Sequence, residues 1–220
     1  MQKLESALRG LLGQDEPVSL LAQMLTRAAE KGSFSYAEIQ GMAAGDWEDL
    51  LLLSNSWRLL VPWNRTSRTI DWEDGVFLFE PDEVYHIPNV VRHLAQRARE
   101  TGEWDVAYAV SQAFKEMGDP DYELMPGLVE LIGDQARGRR VDALQIKQAC
   151  EQVGLGERVD PLIAELKASG VMCPKLSCLS EALALRCPIY ELNPCLFVRK
   201  ATAGSGCMCI SQPAKQPYRS

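Results

Sequence analysis

Four thiols fall within the stretch "SGVMCPKLSCLSEALALRCPIYELNPC", residues 169–195, at Cys173, Cys178, Cys187 and Cys195. Thiolates hold soft metals or exchange electrons, so such a cluster raises the chemistry of a zinc or iron–sulfur centre. Structural zinc sites pair their ligands two to four residues apart in two knuckles, whereas these cysteines are separated by 4, 8 and 7 intervening residues. The spacing matches that pattern poorly, and cysteine is also a common small buried hydrophobe. A metal or redox site at these four positions needs the fold to gather them. Cys207 and Cys209 add a C-x-C pair able to chelate a soft metal or join a redox couple.

Other catalytic chemistry is scarce. His86 and His93 are the two histidines, seven residues apart across the start of a helical stretch, and form no recognisable dyad. The sequence contains no glycine-rich phosphate loop, no G-x-S-x-G elbow, no HExxH and no carboxylate-rich metal motif, so the expectation is a protein that is not an enzyme.

Charge points to binding instead, with a restriction. The net charge of −7 repels polyphosphate on average, so nucleic-acid contact requires a local basic patch. Two such patches exist. Arg58, Arg65 and Arg68, with Asn64, Thr66 and Ser67, make one cationic loop, and Trp63 and Trp72 beside it suit either core packing or a partner face. The second is "ARGRR", with Arg137, Arg139 and Arg140, followed by Lys147, Arg158, Lys167 and Lys175. Phosphate contact and an acidic protein partner fit that cluster equally.

The elements that position these residues follow from periodicity. Leu4, Leu8, Leu11 and Leu12 form a helical stripe rather than a signal-peptide core, and no run of about 18 apolar residues occurs. Seven cysteines without an export signal argue against a disulfide framework. The expectation is a cytoplasmic protein without a membrane partner. After Pro17, the residues Val18, Leu21, Met24, Leu25, Ala28 and Ala29 mark a helix closed by Gly32. A short helix from Tyr36 to Met42 and another from Asp46 to Ser54 follow. Then "WRLLVPW", "IDWE", "VFLF" and "VYHIP" read as strands of a small antiparallel sheet, with Asp74-Gly75 turning one hairpin. Helical spacing returns through Val90, Val91, Leu94 and Ala98, and again from Trp104 to Phe114. Beyond Pro120, helices from Met125 to Ala136, "DALQIKQACEQ" and "DPLIAELKAS" precede the strands "GVMCP" and "PIYELNP". The segment 201–220 has little to bury and reads as a disordered tail.

The two halves echo each other. "LLLLSNSWRLLVP" (50–62) lies over "LIAELKASGVMCP" (162–174) without gaps, "YAEIQ" echoes "ALQIK", and "VYHIPN" echoes "IYELNP". Three helices, a strand, a connection and a returning strand that ends in aromatic-x-aliphatic and proline resemble a winged helix, the helix-turn-helix variant followed by a β-hairpin. Two copies resemble a tandem winged-helix protein. The resemblance covers roughly residues 17–88 and 123–197, and the "IDWEDGVFLF" hairpin departs from it as an insertion between the first pair of wing strands.

The resemblance implies a mainly α chain with small antiparallel hairpins. Residues 1–88 would form one winged-helix-like domain, 89–122 a helical connector and 123–200 a second such domain. It also implies DNA association, as a transcription regulator, through the Arg58/Arg65/Arg68 wing, the arginine cluster and the third helix of the second copy. The third helix of the first copy, "GDWEDLLLLSNS", carries three carboxylates and no base, which favours the alternative of a protein-interaction adaptor or homodimer. On either reading zinc or an iron–sulfur group at the four cysteines would be a sensing addition to the second wing.

Overall fold

Up to their second strands the two halves of the chain are built on the same order of elements. In the computed structural model, which describes residues 1–13, 17–42, 47–62 and 82–197, the first half runs α2 (Val18–Lys31), β1 (Ser33–Ser35), α3 (Tyr36–Gln40), α4 (Trp47–Ser56), β2 (Val61–Pro62) and β3 (Val84–His86). The second runs α7 (Met125–Gln135), β4 (Arg140–Asp142), α8 (Ala143–Gln152), α9 (Val159–Ala168), β5 (Met172–Pro174), α10 (Leu179–Leu185) and β6 (Ile189–Leu192). The helix α1 (Gln2–Leu12) precedes both, and α5 (Asn89–Thr101) and α6 (Val106–Glu116) lie between them. The chain is therefore mainly helical with small antiparallel sheets. Arg65, Arg68, Trp63, Trp72, the "IDWEDGVFLF" hairpin, Cys207, Cys209 and the expected tail lie outside the described residues.

The sheets show how closely the halves correspond. In each, the last strand is central and antiparallel to both neighbours, giving the orders β1-β3-β2 and β4-β6-β5. Tyr85 pairs with Phe34 and Pro62, and Tyr190 pairs with Val141 and Pro174, so the sequence alignment of the halves coincides with the strand register. The strands β1 and β4 are additions to the expected hairpins. Three-residue strands are too short to display a period of two, so local pattern did not reveal them.

Local chemistry repeats as well. Ser35 caps α3 with Glu38 completing the capping box, and Asp142 caps α8 with Gln145 in the same role. At the exits of α4 and α9 the chain passes through the left-handed region at Arg58 (φ 53°) and Gly170 (φ 82°). The next amide then reaches back to the helix, Leu59 N–H to the Ser54 carbonyl at 2.8 Å and Val171 N–H to that of Leu166 at 3.0 Å.

One hydrophobic core runs through both halves, from Leu4 on α1 to Leu196 beyond β6. Val90, Val91, Leu94, Ala95 and Ala98 line the buried face of α5, which packs on α1, α2 and α6, while α6 packs on α7. The segment expected as a connector thus carries the central helices of the packing. Polar links reinforce it: the Trp104 indole donates to the Cys195 carbonyl at 2.9 Å, and Val90 N–H to the Ser169 carbonyl at 2.9 Å.

The halves meet reciprocally at the two left-handed residues. A Cβ added to Gly170 would stand 2.4 Å from Cβ of Pro88, the third residue after Tyr85. Asn193, the third after Tyr190, donates to the carbonyl of Arg58 at 3.4 Å and to that of Gly170 at 3.0 Å. Gly170→Ala therefore combines a left-handed penalty of about 1–2 kcal/mol with a clash against a rigid ring. The expected loss of stability is roughly 2–4 kcal/mol, read as a lower urea midpoint at unchanged m value.

Candidate functional site

The chain turns into β4 through a two-residue hairpin. Arg137 and Arg140 exchange backbone hydrogen bonds at 3.0 and 3.3 Å around Gly138 (φ 69°) and Arg139, the arrangement a glycine at the first central position favours. This places Arg137, Arg139 and Arg140 on the surface, at a strand edge rather than on a helix. Arg140 lies 3.9 Å from Glu181 on α10, an exposed pair that contributes little to stability but sets the cluster beside that helix.

Three cations expected at the surface lie elsewhere. Arg58 is 5% exposed and Lys175 6%, and both face the buried carboxylate of Glu191, at 3.6 and 3.3 Å. Arg139 approaches the other oxygen of Glu191 at 3.7 Å from the solvent side. Arg58 crosses from the first half to β6 of the second because the left-handed turn after α4 aims its side chain under the neighbouring sheet, and its guanidinium also donates to the Asn55 carbonyl at 3.1 Å. Arg158, expected on the reading helix of the second half, is held by Asp119, Asp121 and Glu165. Burial raises the Asp119 carboxyl, and the bonds from Arg158 and the Asp121 amide then bring it below its ordinary value. These three residues bind their own protein. Lys147 and Lys167 remain exposed, the former 3.9 Å from Glu151 one turn along α8.

The cysteine cluster does not assemble. Cys173, Cys178, Cys187 and Cys195 are all buried free thiols, and among the described residues no group of three or more His, Cys, Asp or Glu side chains could hold a metal. Cys173 lies on β5, Cys195 lies beyond β6, and Cys178 and Cys187 flank α10. Burial raises the Cys195 thiol far above its ordinary value, which suits a packing residue rather than a thiolate ligand.

The feature that the sequence reading passed over is α10. Its sequence LSEALAL buries no residue, and Leu179, Leu183 and Leu185 are 59%, 69% and 51% exposed. Together with Ala182, Pro174, Pro188 and Ile189 the first two line an open groove of about 460 Å³ at the end of the second sheet. Arg186, which closes α10 in the left-handed region, also borders it. Leucines at i and i+4 among good helix formers were the available signal, hidden inside a segment read only as the link between two strands.

His86 and His93 both lie below their ordinary value of 6.5. Burial is the main cause for each, and for His93 the Arg92 guanidinium adds to it while Glu116 opposes it. A depressed folded-state value means that the folded protein binds the proton more weakly than the unfolded chain does. Stability from these groups is thus complete above about pH 6.5 and declines as pH falls through the folded values. The melting temperature should drop between pH 6.5 and 5, and the His86→Gln/His93→Gln double variant should flatten that slope. For the buried ion network, Glu191→Ala leaves Arg58 and Lys175 facing an apolar gap and should cost about 3–5 kcal/mol in denaturant unfolding. Replacing all three with apolar residues of similar volume should be close to neutral.

A protein-family model matches residues 2–201, and the chain belongs to that family, whose description states no activity. No curated protein and no solved structure matches the chain.

Proposed function

We propose that the chain, as a member of that family, is a non-enzymatic tandem winged-helix protein that works by holding a protein partner. The order helix, strand, helix, helix, strand in both halves, each closed by a returning strand that α10 precedes in the second, supports the winged-helix assignment. A cytoplasmic location belongs to this proposal; among the described residues no helix is long and apolar enough to cross a membrane.

The observation that carries the protein-binding reading is what the third helices present to solvent. In a DNA-reading winged helix these residues reach base edges and phosphates, which requires Arg, Lys, Asn or Gln. The exposed residues of α4 include Glu48, Asp49 and Leu52. Those of α9 include Asp160, Ala164 and one cation, Lys167, while Arg158 at its start is engaged by three carboxylates. Two acidic or neutral reading helices on a chain of net charge −7 suit proteins better than polyphosphate.

A second reading, DNA association, draws on the exposed hairpin of Arg137, Arg139 and Arg140. Phosphate contacts there would release counterions and make binding steeply salt-dependent. A titration of mixed-sequence duplex DNA at about 50 and about 200 mM salt separates the two readings. The expected result is no complex at either salt. A low-salt complex that the Arg137→Glu/Arg139→Glu/Arg140→Glu variant loses would establish DNA association in its place.

A further inference from the structure

Beyond the bare holding of a partner, we infer that the groove between α10 and the adjoining ends of β5 and β6 is the docking site for a short acidic, leucine-bearing helical segment of another protein. The inference rests on the protein-binding reading above and names the partner's chemistry.

The apolar side is set by α10. A seven-residue helix that buries none of its residues gains nothing from its own leucines, which lose favourable burial for as long as they face water. Leu179 and Leu183 stand one turn apart on the same face, and Pro174, Pro188 and Ile189 form the opposite wall. The spacing suits leucines one turn apart on an incoming helix, interleaving with those of α10.

The charged side selects the sign. Arg140 reaches α10 at Glu181, Arg137 pairs across the hairpin with Arg140, and Arg139 stands above buried Glu191. Arg186 lines the groove itself and makes no ion pair among the described residues. Arg186 at the groove and Arg140 beside α10 thus give this end of the second half a cationic side, on a chain whose net charge is −7. An acidic segment gains from this rim, whereas a basic one is repelled. A second copy docked by the same face would bring the two arginine clusters together, which disfavours an isologous dimer. Nucleic acid would match the rim but leave the leucines against phosphate and sugar.

The test uses the full chain and a fluorescein-labelled amphipathic peptide of about 15 residues, with leucine at helical spacing and glutamate elsewhere. A lysine-for-glutamate version, a version with its leucines replaced by alanine and a mixed-sequence DNA duplex serve as controls. Anisotropy titration is expected to give micromolar binding of the acidic peptide alone. Leu183→Asp and the milder Leu183→Ala, at a position 69% exposed, should keep the circular dichroism spectrum. The Asp variant should weaken binding at least about tenfold, and Arg137→Glu/Arg140→Glu should weaken it several-fold, less so in high salt. Equal binding of the lysine peptide, binding indifferent to the leucines, or affinity unchanged in both the Leu183 and the arginine variants would overturn the groove assignment. So would concentration-dependent dimerisation abolished by Leu183→Asp, which would make a second copy the occupant. Failure of the peptide with no DNA complex defeats this inference and leaves the protein-binding reading standing. A DNA complex in the same titration defeats both.

Discussion

Glu191 lies beneath the outer face of the second sheet, on its central strand, with the guanidinium of Arg58 arriving from the other half of the chain. A carboxylate and two cations taken out of water are tolerable only where each has a partner, so the network dictates how the halves may sit. If Arg58 were withdrawn by even a small rotation of the first half, buried charge would lose its compensation. Such a network adds little net stability relative to an apolar core, yet it penalises every other arrangement of the two sheets. Beside it, Asn193 holds the carbonyls of Arg58 and Gly170 together, so the exits of α4 and α9 are joined by one side chain.

The junction also records how a repeated plan has diverged. Position 58 of the first half and position 170 of the second are both left-handed, and each meets a residue just beyond the last strand of the opposite half. Glycine serves at 170, where Pro88 leaves no room for a side chain. At 58 an arginine accepts the unfavourable backbone region because its guanidinium gains buried polar partners. His86 occupies in the first sheet the register position that Glu191 holds in the second, so the ionic half of the junction exists once rather than twice.

With Arg58, Lys175 and Arg158 committed to internal carboxylates, the exposed basic residues described in the second half are the hairpin arginines, Arg186, Lys147 and Lys167. Arg140 and Arg186 adjoin α10 and its exposed leucines, and the two features together define a face with both an apolar and a cationic requirement. Neither alone separates a protein from a nucleic acid; their adjacency does, because a complementary surface must be apolar and acidic at once. The thiols of the same segment are buried, Cys187 beneath the groove itself.

The sequence by itself determined the helices, since each long element carries an apolar stripe at helical spacing, and it determined the internal repeat, whose aligned tyrosines Tyr85 and Tyr190 hold the same register position. Gly32 likewise marked a helix end where the structure has it. Tertiary structure alone decided which charges face water. Arg58 and Arg139 look alike in the sequence, as basic residues near a strand, but one is drawn under the opposite sheet and the other stays at its rim. It also decided that four cysteines close in sequence stay apart, and that the link between two strands is a helix with its leucines outward. Periodicity reports what a segment can bury; burial, charge pairing and ligand convergence depend on which distant segment arrives to meet it, and that distance in sequence carries no local signal.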